Sequence, residues 1–327
     1  MGGDYAPQEV VRGAVAYARK DYQAQLLLVG DPILVQQHLA GDAPANVHVV
    51  PATQVIAMDE HPTQAVQEKP DASLVVSTRM VRDGAADATF SAGNTGAVMF
   101  ASIRLLERVP GVKRPAIATP FPTETGGRAL VVDAGANIDC RASHLLQFAL
   151  LGSVYAHKVM RIERPRVGLL ANGEEETKGN ELSRETYALL KKSNLNFVGN
   201  VEGNHVFEGG VDVVVCDGFV GNVLLKASEG VVRLTLGLLA EDARREPDEA
   251  IREALLRSLL KMRQRVDYSE FGGAPLLGVN GVSFIAHGRS DAKTIATGLR
   301  LAVEATRANY VGAMRDALAG SVEAAQA

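Results

Sequence analysis

Four times along this chain a short apolar run ends in a loop of glycine, asparagine and small or acidic residues, and helical periodicity follows at once. The runs reach Ser91-Ala92-Gly93-Asn94-Thr95-Gly96, Val131-Val132-Asp133-Ala134-Gly135-Ala136-Asn137, the stretch 169–180 and the stretch 213–222. Short apolar runs bounded by turn residues read as strands. After the first of them, Val98, Ala101, Leu105, Leu106 and Val109 recur at helical spacing. Alternating strands and helices build βαβ units around a mainly parallel sheet. Loops after such strands gather outside the carboxyl ends, where open α/β sheets bind ligands. The expectation is an α/β fold with a polar site made by four loops.

The chemistry of the first loop leaves two readings open. Small residues let backbone approach a ligand closely, and a helix start offers unpaired N–H groups and a favourable dipole, which suits an anion. Asn94 or Thr95 could equally serve as a plain helix cap.

Composition narrows the class. A chain of 327 residues with 46% hydrophobic and 22% charged residues can bury a large core. A net charge of −4 exerts no general pull on nucleic acid, so none is expected as a partner. Cys140 and Cys216 are too few for a disulfide framework and read as small packed residues in a reducing compartment. With no apolar run of roughly 18 residues and no secretory signal, the expected location is cytoplasmic.

Along the chain, Gly2-Gly3-Asp4 followed by Pro7 is a loop-to-helix turn with no strand before it, so the sequence is expected to begin one strand late. Helices are predicted over 10–17, from 32, over 73–82 and over 145–155. Strands are predicted over 25–30, 47–50 and 114–119. The stretches 58–69 and 120–127 read as loops. From 231 two apolar helical segments, 231–240 and 251–262, flank the charged stretch 241–249, giving a projecting αα-hairpin over 231–266. Its leucines read as core or as a dimer interface, and secondarily as a membrane-surface anchor. The run 282–285 predicts a strand leading into Ala286-His287-Gly288-Arg289-Ser290-Asp291 and a helix over 293–308.

Familiar catalytic signatures are missing. The chain has no Walker lysine pattern, no ordered Gly-x-Gly-x-x-Gly after a strand, no G-x-S-x-G elbow and no zinc spacing among its seven histidines. Glu174-Glu175-Glu176 could hold Mg²⁺, but successive residues point apart and read better as a solvated rim. What remains is backbone N–H, Asn, Thr and Ser with isolated cations such as Lys178, Lys226 and Arg289. That set suits phosphate or carboxylate binding and stabilisation of developing oxygen charge.

Seven motifs in order, MGGDYAP, SAGNTGA, VDAGAN, GEEETKGNEL, CDGFVGNVLLK, YSEFGGAPLLG and AHGRSD, run nearly end to end. In these the chain resembles the bacterial PlsX-type phosphate acyltransferases of fatty acid and phospholipid synthesis. The resemblance implies one three-layer α/β/α domain over 1–327, related to phosphotransacetylases and to the isocitrate and isopropylmalate dehydrogenase type. It implies a homodimer, acyl carrier protein and inorganic phosphate as partners, and no cofactor or metal. The reaction implied is transfer of a fatty acyl group from its carrier thioester to phosphate. An acyl-CoA-using phosphotransacetylase and a non-catalytic carrier-binding scaffold are the alternatives.

On that mapping Ser91, Gly93, Asn94, Thr95 and Gly96 cradle phosphate or the acyl oxygen. Asp133, Asn137, Asp217 and Asn222 shape the pocket, and Gly179 and Asn180 join them in binding substrate. Lys178 is the first cation, Lys226 the second, and His287 a proton donor. The family places an Asp-bearing strand ahead of the Gly-Gly-Asp motif, which this sequence lacks. The charged hairpin turn implies only weak peripheral membrane association. A basic patch for the acidic carrier is expected at Arg161, Arg164 and Arg166 or at Arg252, Arg257, Arg263 and Arg265, where an ordinary solvated face is the equal reading.

Overall fold

The structure, a computed structural model, describes residues 1–39, 41, 43–266 and 272–326. It opens with α1 (Gln8–Ala18), β1 (Leu26–Gly30), α2 (Pro32–Leu39), β2 (Val47–Pro51), α3 (Pro62–Glu68) and α4 (Ser73–Arg82). The middle holds β3 (Ala88–Ser91), α5 (Thr95–Leu105), β4 (Ala116–Pro122), β5 (Arg128–Val132), α6 (Ala142–Lys158), β6 (Val167–Leu170), α7 (Glu181–Lys191) and β7 (Phe197–Val201). The remainder is α8 (His205–Glu208), β8 (Val213–Val215), α9 (Gly218–Arg245), α10 (Glu249–Val266), β9 (Ala274–Leu277), β10 (Val282–Ile285), α11 (Ala292–Arg307) and α12 (Tyr310–Gln326).

Side chains of successive strand residues point to opposite faces, and that alternation builds three layers. Leu130, Val132, Val213, Val215, Leu277 and Phe284 pack with Phe148, Leu151, Leu301 and Met314 of α6, α11 and α12. Their strand neighbours face the other way. Ile117, Leu276 and Ile285 meet α3, α4 and α5, and Ala129, Val131 and Val214 meet Phe207 and Leu224. The expected α/β/α sandwich is present.

Eight strands pair in the order β3-β10-β9-β4-β5-β8-β6-β7. β3 and β10 run parallel, as do β5, β8, β6 and β7 among themselves. Antiparallel pairings join β10 to β9, β9 to β4, and β4 to β5. Three reversals leave the carboxyl ends of β3 and β10 at one edge of the sheet and those of β5, β8 and β6 at the other. The four loops therefore form two groups rather than one.

Two strands stand apart. β1 pairs in parallel with β2, and both β1 and β3 line a cleft of about 430 Å³ without pairing across it.

Local departures from the expected elements have identifiable causes. Residues 120–122, read as loop because of Pro120 and Pro122, continue β4, which turns back into β5. β9 covers β4 only at Ala116 and Ile117, so the prolines lie where one edge has no partner and a missing N–H is tolerated. Within 58–69, Pro62 starts the short α3, its lost N–H being an orphan at that position anyway.

Most of the charged stretch 241–249 is helix. Glu241 and Arg245 form an ion pair four residues apart on α9, and the turn shrinks to Glu246-Pro247-Asp248. Asp248 Oδ1 then accepts from Ala250 N at 2.9 Å, capping α10. The hairpin leaves Val231, Leu234, Leu238, Ile251 and Leu260 at least half exposed. No described helix is long and apolar enough to cross a membrane.

Candidate active site

At the β3/β10 edge, the Ser91–Gly96 loop is held by its own asparagine. Asn94 is buried, and its Oδ1 accepts from Ala97 N at 3.0 Å to cap α5. Its amide donates to the carbonyls of Ala57, Met58 and Glu60 at 3.3, 3.1 and 3.0 Å. Glycine is required alongside, because a Cβ at Gly96 would lie 2.6 Å from Pro62 Cγ. Ser91 Oγ accepts from Gly93 N at 3.2 Å, and Ser91 O accepts from Ala286 N at 2.8 Å, tying this loop to the one after β10. Thr95 stands exposed at the helix start.

The loop after β10 meets the N-terminal Gly-Gly-Asp turn. Asp4 N donates to Gly288 O at 2.9 Å, and the Asp4 carboxylate pairs with Arg289 at 3.4 Å. His287 is exposed, and its Nδ1 accepts from Arg289 N at 3.3 Å, which assigns the proton of the neutral ring to Nε2.

Asp133 organises the opposite edge. Its side chain is fully buried beyond the end of β5. Oδ1 accepts from the backbone N–H groups of Ile117, Gly135 and Ala136 at 3.0, 3.2 and 3.0 Å. Oδ2 accepts from Asn137 N at 2.7 Å and Asn137 Nδ2 at 2.8 Å. Burial pushes the carboxyl above its ordinary value, and the surrounding N–H donors oppose that shift. Five donors and, among the described residues, no acceptor surround its oxygens, a pattern that suits the ionised carboxylate. Asn137 Nδ2 also reaches Pro115 O at 2.7 Å, binding the loop to the start of β4.

The start of α9 closes on this loop. Asp217 Oδ1 accepts from Val220 N at 2.9 Å as the helix cap, and Gly218 N donates to Asn137 O at 2.7 Å. A Cβ at Gly218 would lie 2.8 Å from Asn137 N and O, and one at Gly221 only 1.9 Å from Asp133 O. Asn222 is exposed and packs its side chain beside Gly135, whose Cβ position is 3.6 Å from Asn222 Cβ.

After β6, Asn172 Oδ1 accepts from Gly179 N at 2.8 Å and Asn180 Oδ1 caps α7 through Ser183 N at 2.8 Å. Lys178 is exposed, its stem lying over Gly173, and no ion pair holds its ammonium among the described residues. Glu174 instead pairs with His205 and Glu176 with Lys191, so the acidic triplet is a braced rim. Lys226 is paired with Glu229 at 3.0 Å, one turn along α9.

The predicted residues therefore fall into two sets. Ser91, Gly93, Asn94, Thr95, Gly96 and His287 gather at one edge. Asp133, Asn137, Asp217 and Asn222 gather at the other, beside the loop carrying Lys178, Gly179 and Asn180. α5 links them: its N-terminus belongs to the first set, and Met99 and Ile103 along its length line one groove with Ala136 and Asn137.

Tyr268, Ser269, Glu270 and Phe271 of the YSEFGGAPLLG motif lie outside the described residues. Sequence reading missed Asn200, a buried residue at the end of β7 whose amide donates to Glu175 O at 2.8 Å. Only a lone Asn inside a short β-run marks it.

Both thiols are poor nucleophiles. Burial, followed by Asp133 and Asp217, pushes Cys140 up to about 11 and Cys216 well above its ordinary value. Removing the Asn94 side chain (Asn94→Ala) strands three carbonyls and a helix N–H. An expected loss of about 2–3 kcal/mol in urea unfolding checks that anchoring.

Comparison with known proteins agrees with this architecture. The family model described as "Fatty acid synthesis protein" matches residues 1–312. A phosphate acyltransferase of Desulforamulus reducens is 48% identical over 319 residues, covering 97% of this chain and 95% of that protein. One of Heliobacterium modesticaldum is 48% identical over 327 residues, covering 99% and 97%. A phosphotransacetylase from Streptococcus pyogenes superposes with a TM-score of 0.58 at 16% identity over 93% of this chain and 91% of that one, and so shares the fold. A core of alternating strand residues, Gly-, Asn- and Asp-bearing loops at the strand ends and near end-to-end matches to these relatives at 48% identity lead to one assignment: the chain belongs to the phosphate acyltransferase family and is an acyl-transferring enzyme.

Proposed function

We propose that the chain transfers a fatty acyl group from the thioester of acyl carrier protein to inorganic phosphate, supplying acyl phosphate for phospholipid synthesis. What supports this reading is the start of α5 with exposed Thr95 in one set of loops and, in the other, an exposed Lys178 held by no ion pair among the described residues; burial raises both thiols above their ordinary values. Such a site suits direct attack by an anion. A phosphate oxygen adds to the carbonyl carbon, the C–S bond breaks, and the carrier thiolate leaves. Phosphate is ionised near neutral pH and a thiol has a pKa of about 8.5, so neither a strong base nor a strong acid is required.

Positioning and charge stabilisation are then the main tasks. Asn94 and Asp133 act as positioning residues, because their polar atoms are occupied in building the loops. Lys178 neutralises phosphate, the α5 N-terminus receives oxygen charge, and His287 Nε2 serves the leaving sulfur. Ser91, Gly93 and Gly96 shape the side of the site that holds Thr95 and His287, and Asn137, Gly179, Asn180, Asp217, Asn222 and Lys226 shape the side that holds Lys178. The exposed leucines of α9 and α10 form the contact of a homodimer, and membrane contact is the weaker reading of that face.

Acyl carrier protein and acyl-CoA substrates, compared with hydroxylamine trapping of acyl phosphate, test the donor. Preference for the carrier supports the proposal, and preference for CoA favours the phosphotransacetylase-like alternative. Lys178→Ala is expected to fold normally and to lose about tenfold or more in kcat/KM for phosphate. Unchanged phosphate kinetics would remove Lys178 from the site.

A further inference from the structure

An open groove of about 810 Å³ runs along α5 and ends on Ala136 and Asn137, beside the Asp133 loop. Its walls carry Arg104, Arg108, Lys113 and Arg114, all exposed, against a single carboxylate, Glu107. The wall is prebuilt. Val109 N donates to Gly278 O and Asn280 N to Glu107 O, both at 3.0 Å. Gln147 fastens the tip, accepting from Lys113 N at 2.9 Å and donating to Gly111 O at 2.8 Å. Arg108 is turned onto the Lys113 carbonyl. Ile138, 67% exposed, offers an apolar contact next to Asn137.

The field of this wall is felt nearby. His144 is held below the ordinary histidine value by burial and then by Arg114, Lys113 and Arg141. In the two basic patches expected from the sequence, Arg166 is committed to Asp212 and Arg257 to Glu253, each at 2.9 Å.

We propose that this groove is the docking surface for an acidic protein partner that carries the acyl thioester, the thioester reaching the Asn137 end along α5. The inference rests on the proposed acyl-carrier reaction and deepens it. A macromolecule fits better than a small polyphosphate because the cations are spread over exposed rims and do not converge in a closed pocket. Rim charges of this kind steer encounter and select partners by sign. Arg104 and Lys113 lie outside the loops that hold the reacting groups and act on the partner alone.

The test is fluorescence anisotropy of labelled holo acyl carrier protein on the full chain, at low and high salt, alongside its turnover as an acyl thioester. Lys113→Glu with Arg114→Glu is expected to weaken carrier binding by about tenfold or more, and Arg104→Glu alone to weaken it in the same direction. Lys113→Arg with Arg114→Lys keeps binding within about twofold, because charge is retained. Wild-type binding should weaken steeply as salt rises. Carrier binding that survives the charge reversals in variants with wild-type thermal melts overturns the docking site, as does equal weakening by the charge-conserving pair. Weakened binding of free CoA with unchanged carrier binding also overturns it, in favour of a small phosphorylated ligand. Wild-type protein that binds carrier through these cations yet releases no thiol with phosphate would leave the docking site standing and remove the acyl-transfer reading.

Discussion

Replacing Asp133 with alanine is expected to abolish ordered packing of the 133–137 loop and to cost about 3–5 kcal/mol of stability. Its carboxylate satisfies four backbone N–H groups and the Asn137 amide from one fully buried position. Without it, donors on β4 and on the loop after β5 are left together in a dry interior that water does not easily repay. Asp133→Asn, nearly the same shape, should fail as well, because one oxygen becomes an NH₂ group facing N–H donors. Thermal unfolding checks this, with Tm falling by roughly 5–10 °C for either variant. A wild-type melt for Asp133→Asn would mean that the donors have other acceptors, and the account of this loop would be wrong.

Gly221→Ala is expected to have a comparable effect by a different route. The added Cβ would stand 1.9 Å from the Asp133 carbonyl oxygen and 3.0 Å from Cys216 Sγ. The obstacle is backbone fixed within a strand-to-loop junction, so no side-chain rotation relieves it. α9 would have to back away from the sheet, taking Asp217 and Asn222 with it. A destabilisation of about 3 kcal/mol or more is expected, above the usual range for overpacking. Gly230→Ala further along α9 has nothing within 4 Å of its Cβ and should be neutral or slightly stabilising through helix propensity. Urea unfolding of the pair separates local collision from a general effect of glycine removal.

Much of this fold is legible in the sequence because it is local. Val131-Val132 before Asp133 and Val213 to Val215 before Asp217 announce strand, turn and helix from neighbouring residues alone. Strand direction across the sheet is not local. Nothing near Ala274 or Ala116 signals that β9 and β4 run against their neighbours, and those reversals are what divide the loops between two edges. The proline-bearing end of β4 and the charged end of α9 were obscured for a related reason. A proline is tolerated where an edge lacks a partner, and a charged run can be helical when its charges pair four apart.

Site residues divide along the same line. The loops carrying Ser91, Asp133, Lys178 and Asp217 are visible as motifs, but the work done by each side chain is not. Asn94 looks like a ligand or a cap in sequence and in three dimensions also anchors residues 57–60 through three carbonyls. The cations at 104–114 carry no motif in the sequence, and α5 and the fastened wall bring them to one groove.

The acyl-transfer account is tested most directly by measuring free thiol from a long-chain acyl carrier protein with and without inorganic phosphate, while following acyl phosphate. Release that requires phosphate and matches acyl phosphate formed one for one is the predicted result. Release at the same rate without phosphate would contradict it and point to hydrolysis of the thioester.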